Sequence, residues 1–204
     1  MLLRHAKSDW PDVSDHARPL AKRGRHDAPA VGRWLRAGGY LPDVVVCSTA
    51  RRARQTWELI APALGGSPSV TFEPRAYDAS ALTLLYLVQE LPSQYRSALL
   101  IGHNPAISEL AASLADPPEQ APPLPPSLIR FPTAAVAVLE FAGDWPALAP
   151  GQILTNGTPK PGPGLSWIET IFTRWWRSTM IHMTSAKPTK GAFVRGLPRG
   201  RRGR

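Results

Sequence analysis

The stretch DVVVCSTARRARQT, running from Asp43 to Thr56, decides the fold. Its first five residues are a short, nearly unbroken apolar run with three β-branched valines. Such a run suits a strand of a parallel sheet whose two faces are both covered, where neither meets water. Ser48, Thr49 and Ala50 then turn the chain. Residues 50–64 continue with helical spacing and are stopped by Gly65 and Gly66. A buried strand that leads, at its carboxyl end, into a helix with arginines in its first turn is the unit on which α/β domains place ligands.

Outward from this unit the pattern repeats. Residues 1–3 are an apolar stub leading straight into Arg4-His5, and residues 20–37 carry apolar side chains at helical spacing before Gly38 and Gly39. Residues 70–73 are expected as a short strand, 81–91 as a helix and 97–101 as another buried strand. Residues 105–115 are expected as a helix with proline in its first turn, where the missing N–H costs nothing. Residues 117–126 read as a proline-rich loop, and 134–141 as a last strand. No internal repeat is visible. The fold class expected is therefore α/β, a three-layer sandwich with a mostly parallel central sheet and helices on both faces.

The chain has 204 residues, 43% of them apolar, one cysteine and 23 prolines, about twice the roughly 5% average share of proline. That length suits one domain with an appendage. Cys47 alone cannot form an internal disulfide. No signal segment or membrane-length apolar run stands out, so a cytoplasmic location without a transmembrane segment is expected. The net charge of +9 is unevenly placed. Residues 1–152 hold fourteen Lys/Arg against fourteen Asp/Glu, whereas residues 153–204 hold ten against Glu169 alone. The domain is therefore expected to end at 152. Beyond it, 159–164 reads as a linker, 165–183 as a short helix bearing Trp167, Trp175 and Trp176, and 185–204 as disordered.

Three strand ends carry residue types that bind phosphate: Arg4-His5-Ala6-Lys7-Ser8, Ser48 to Thr56, and Gly102-His103-Asn104-Pro105. Each alone has a bland explanation, a structural histidine or a solvated basic face. Together they would bring two histidines and at least two arginines to one crevice. A planar guanidinium meets phosphate oxygens two at a time. A neutral imidazole is a competent nucleophile toward phosphorus, and guanidinium charges beside it disfavour its protonation. No spacing of His, Asp or Glu resembles a metal-ligand set, and neither metal nor cofactor is expected.

These motifs resemble the histidine phosphatase superfamily, with the phosphoglycerate-mutase-like fold, and within it the SixA type of phosphohistidine phosphatase. The resemblance rests on Arg4-His5-Ala6 followed by Lys7-Ser8, on Arg18-Pro19-Leu20 with Gly24, on Ser48-x-x-x-Arg52-Ala53-x-Gln55-Thr56, on Gly102-His103-Asn104-Pro105, and on Phe131-Pro132-Thr133. It covers roughly residues 1–150. It implies that His5 is the nucleophile and forms a phosphohistidine, and that Arg4, Arg52 and His103 hold the phosphoryl oxygens. Arg18 is either a further phosphate contact or a surface ion pair, and Ser8 either a helix cap or a phosphate contact. Asp78 stands where larger members place a general acid; otherwise it caps the helix that follows. Arg51 and Arg54 would point away from Arg52 on the helical wheel. Only three residues precede Arg4, fewer than the family's first strand has, and residues 153–204 match nothing in the family; they are either a basic extension or out-of-frame sequence.

The activity implied is hydrolysis through a covalent phosphohistidine on His5. The expected substrate is a phosphorylated protein, such as a histidine phosphotransfer domain of a phosphorelay. The alternative is a small phosphorylated metabolite. A further alternative is a non-catalytic polyanion binder, with nucleic acid or an anionic membrane engaged only through the basic tail.

Overall fold

The structure, a computed structural model, describes residues 1–114, 131–150 and 153–155. Its main sheet has five strands: β1 (Leu2–Arg4), β2 (Val44–Ser48), β3 (Ser69–Glu73), β4 (Ala98–Gly102) and β5 (Val136–Ala137). They lie in the order β3-β2-β4-β1-β5. All neighbours are parallel except β5, which runs antiparallel to β1. Among the described residues four α-helices pack on this sheet: α1 (Lys22–Ala37), α2 (Arg51–Leu64), α3 (Ala81–Gln89) and α4 (Ala106–Leu114).

Successive side chains of a strand point to opposite faces, and here each face has its own core. Leu3, Val45, Cys47, Leu99 and Ile101 pack with Val31, Leu35, Trp57 and Ile60 of α1 and α2. Leu2, Val46 and Leu100 pack with Leu84, Leu87, Ile107 and Leu110 of α3 and α4. β2 and β4 are buried along their whole length, so the apolar runs that lack alternation are the strands covered on both sides. The three-layer α/β sandwich is what the pattern predicts.

The differences lie at the edges. α1 begins at Lys22, two residues later than expected, because Ala21 is the extended cap residue and donates its N–H to Lys7 O. The strand expected over 134–141 is broken in two. Pairing of β5 with β1 ends at Leu2↔Ala137. The chain beyond forms β6 (Glu140–Phe141), which pairs antiparallel with β7 (Ile153–Thr155) in a separate small sheet. The first three residues of the stretch read as tail are thus a strand beside the body. The proline-rich loop at 117–126 and the linker, helix and disordered end expected beyond 158 lie outside the described residues. No helix among the described residues is long and apolar enough to cross a membrane.

Candidate active site

The register of the central strands builds the site. Arg4 pairs with Gly102 across β1 and β4, so His5 and His103 leave adjacent strands at the same level. Their rings lie 5.0 Å apart between centroids. Ser48 ends β2, the other neighbour of β4, and its Oγ lies 2.8 Å from His103 Nε2. The carboxyl ends of three strands thus converge, as open α/β sheets require of a ligand site.

His5 is held on several sides. Its N–H donates to Gly102 O at 3.0 Å and its carbonyl accepts from Ala134 N. Its ring Nδ1 lies 2.7 Å from Ala6 O. A carbonyl can only accept, so Nδ1 carries the proton and the neutral ring keeps its lone pair on Nε2. Burial pushes the imidazole down to about 4; the Ala6 hydrogen bond opposes this, and the charges of Arg52, Arg4 and Arg18 reinforce it. His5 is therefore neutral at neutral pH. His103 is pushed down to about 3 by burial first, then by His5 and Arg52, with Asp15 opposing. Ser48 Oγ accepts from Ala50 N at 3.4 Å, which leaves its own proton for His103 Nε2 and lets the ring proton reside on Nδ1.

The loop that carries His5 is fastened to α1 and α2. Thr56, fully buried, accepts from Ala6 N at 3.0 Å and donates to Arg52 O at 2.6 Å, so one hydroxyl ties the His5 loop to the helix turn that bears Arg52. Gln55 Oε1 accepts from Leu20 N at 2.8 Å. Gly24 packs against the backbone of Lys7, where a Cβ would overlap the carbonyl oxygen. Thr56, Gln55 and Gly24 were legible only as members of motifs; nothing in the sequence assigned them these jobs.

Of the three arginines in the first turn of α2, Arg52 is buried while Arg51 and Arg54 are exposed. The guanidinium of Arg54 lies 4.7 Å from the centroid of the Phe72 ring, away from the histidines. Arg4 donates from Nη1 to Phe131 O at 2.8 Å, and Asn104 Nδ2 donates to the same carbonyl at 3.0 Å. Arg4 Nε, His103 Nδ1 and Asn104 Oδ1 are buried without a hydrogen-bond partner among the described residues. Proteins keep such atoms few, and these three belong to the residues around the His5 pocket.

Ser8 and Arg18 meet each other. Arg18 Nη2 donates to Ser8 Oγ at 2.9 Å, Nε to Asp9 O at 3.0 Å and Nη1 to Asp15 Oδ1 at 2.8 Å. Its guanidinium also stacks 3.2 Å from the centroid of the Trp10 ring. Asp15 is the residue that sequence reasoning missed. Its Oδ2 accepts from Arg52 Nη2 at 2.9 Å and from the Tyr77 hydroxyl at 2.9 Å, and its backbone carbonyl accepts from Arg52 Nη1 at 2.6 Å. The hydrogen bond from Arg18, helped by those from Tyr77 and Arg52, holds this carboxyl far below the usual carboxylate range, so it is ionised. Tyr77 stands edge-on to His103, 5.7 Å between centroids.

Asp78, next in the chain, is exposed and has a left-handed backbone with φ of +52°. It does not cap α3: Ser80 does, its side chain accepting from Thr83 N at 3.1 Å. His16 is exposed and lies 3.0 Å from Thr49 Oγ1. Cys47 is buried, and that burial pushes its thiol up to about 12. Among the described residues no cluster of His, Cys, Asp and Glu could hold a metal ion.

Comparison with known proteins agrees with this geometry. The model of the histidine phosphatase superfamily (branch 1) matches residues 1–81. An uncharacterised protein of Mycobacterium tuberculosis is 38% identical over 151 residues, 73% of this chain and 93% of that protein. The phosphohistidine phosphatase SixA of Escherichia coli is 28% identical over 138 residues, 67% of this chain and 81% of that protein. Among solved structures, a protein of Nakamurella multipartitia assigned as phosphohistidine phosphatase SixA superposes with a TM-score of 0.63. It is 32% identical and covers 78% of this chain and 96% of its own. A protein histidine phosphatase SixA complexed with tungstate superposes with a TM-score of 0.58 at 26% identity, covering 69% of this chain and 86% of its own.

Proposed function

The chain belongs to the histidine phosphatase superfamily, and on that premise we propose that it dephosphorylates a phosphohistidine on a partner protein through a phosphoryl group carried on His5. The observation that carries this reading is the hydrogen bond from His5 Nδ1 to Ala6 O. It leaves the Nε2 lone pair of a neutral imidazole in a crevice that Arg4 and Arg52 line with positive charge.

In the first step Nε2 forms a bond to phosphorus while the bond from phosphorus to the donor breaks. The electron pair leaves with the donor nitrogen, which takes a proton from solvent. In the second step water attacks the phosphohistidine, orthophosphate departs, and the lone pair returns to Nε2. Arg4, Arg52 and His103 Nδ1 supply donors to the three phosphoryl oxygens, which carry the charge of the transition state. Ser8 and Arg18 brace the loop on which Asp15 sits. A phosphorylated imidazole is a more labile donor than a phosphate ester, so its departure makes a small demand on Asp78.

The phosphoprotein substrate is favoured by the relatives: one is a phosphohistidine phosphatase and another a protein histidine phosphatase that binds tungstate, a tetrahedral oxyanion shaped like phosphate. A cytoplasmic phosphorelay component is the partner chemistry that fits. The test is dephosphorylation of a phosphorylated histidine phosphotransfer domain. Wild type should clear the phosphoryl group and His5→Ala should fall to the uncatalysed rate. Equal rates for the two would end the proposal.

A further inference from the structure

Asp15 sits in a single 3-10 turn, Asp15–Ala17, with its side chain half exposed, yet it faces two arginine side chains that are each only 8% exposed. The contacts are divided between its oxygens. Oδ1 is tied to Arg18, which is itself fixed by Ser8, the Asp9 carbonyl and the Trp10 ring. Oδ2 is shared by Arg52 and Tyr77. Both terminal nitrogens of Arg52 are thereby engaged by one residue, through its carboxylate and its carbonyl.

We infer that Asp15 is the resident counterion of the phosphate pocket and a specificity-determining residue, biasing the site against small oxyanions. The inference rests on the functional reading above, in which Arg52 must receive the phosphoryl group. A phosphoryl group arriving at His5 Nε2 competes with Oδ2 and the Asp15 carbonyl for Arg52, while Oδ1 stays anchored on Arg18. It also brings negative charge beside an ionised carboxylate. Both effects weaken every oxyanion by a similar amount. Orthophosphate has no other contact to offset the loss, so it binds poorly and leaves readily. A phosphorylated protein adds contacts outside the pocket and is retained. Asp15 acts through Arg52 and through charge, without touching the reacting atoms.

The test is calorimetric titration of the full chain with inorganic phosphate at neutral pH, for wild type, Asp15→Asn and Asp15→Ala, with melting curves to establish folding. A charge-assisted hydrogen bond is worth enough to shift a dissociation constant about tenfold or more. In whichever charge-removing variant folds, phosphate should bind about tenfold tighter than in wild type. In turnover the same variant should show a lower KM and a kcat that does not rise, because product leaves more slowly. A residue that merely positions Arg52 would move the affinity the other way. Unchanged or weaker phosphate binding in the folded variants, with wild type binding phosphate, would overturn this inference and leave the phosphatase reading standing. If neither wild type nor the folded variants bind phosphate, this inference falls, while the phosphatase reading is decided separately by the His5→Ala comparison on the phosphorylated protein.

Discussion

The floor and the wall of the crevice are built on opposite plans. The floor consists of Arg4, His5 and His103, with Asn104 beside them, at the carboxyl ends of β1 and β4; His5 is buried, the others are partly buried, and the floor holds buried polar atoms that have no partner among the described residues. The wall consists of Asp15, Arg18, Arg52 and Tyr77, and its charged groups are bonded to one another. A buried donor without a partner is costly unless a ligand supplies the acceptor. A buried guanidinium already paired with a carboxylate incurs little of that cost, and an anion that reaches it competes with the carboxylate. On the proposed reading the floor offers Arg4 Nε and His103 Nδ1 to a phosphoryl group, whereas the wall sets how strongly an anion must compete to be held.

The sharpest way to break this comparison is at Arg52, the one wall residue that the mechanism also uses. Arg52→Ala should lower turnover by about 10² or more, the scale of losing a transition-state donor. Arg52→Lys should restore little, since lysine keeps the charge but not the fork. Arg51→Ala and Arg54→Ala, both at exposed positions and the second with its guanidinium over Phe72, should each cost less than about tenfold, a bound set by the weak interactions of exposed charges. Parallel kinetics on the four variants decide the matter. Equal losses at all three positions would mean that general basicity, and not a placed fork, binds the substrate.

A smaller effect is expected where floor and wall are joined. Thr56→Val removes the hydroxyl that links Ala6 N to Arg52 O while keeping the shape. It leaves a buried N–H unsatisfied, a loss of about 1–3 kcal/mol. Denaturant unfolding should show that destabilisation, and turnover should fall with it because both His5 and Arg52 lose a support. A variant as stable and as active as wild type would show that the two parts are positioned independently.

The smallest effect is a displaced pH limb. His5 and His103 are pushed down to about 4 and about 3 in the fold, whereas an unfolded imidazole titrates near 6.5. Between those values the unfolded chain binds more protons, so stability is complete above about 6.5 and declines as pH falls toward about 4. The acid limb of kcat/KM, which reports the free enzyme, should likewise lie well below 6.5. A limb at the ordinary imidazole value would show that the nucleophile is solvated.

How much of this was readable in the chain depends on the range of the interaction. β2, β4 and the cores on their two faces follow from runs such as Val44 to Cys47, because burial on both sides writes itself into consecutive residues. The two histidines were readable as strand-end residues, since parallel register alone brings His5 and His103 together. Asp15 was not. Its partner Arg52 lies 37 positions away in the sequence, and only folding of the 9–20 loop over α2 joins them; the i,i+3 spacing of Asp15 and Arg18 was the single local trace. Asp78 drew attention as the carboxylate standing where larger family members place a general acid, with a helix cap as the alternative, yet Ser80, two residues closer to the helix, takes the cap. The split of the last strand was hidden for the same reason, because where pairing with β1 ends is a property of the register and not of residues 134–141.

The central claim is that Nε2 of His5 carries the phosphoryl group. Rapid-quench mass spectrometry of wild type turning over a phosphorylated histidine phosphotransfer domain tests it most directly. The account predicts one acid-labile phosphoryl adduct, located on His5, that forms within the first turnover and is absent in His5→Ala. Steady turnover without any adduct, or an adduct on another residue that survives in His5→Ala, would contradict it.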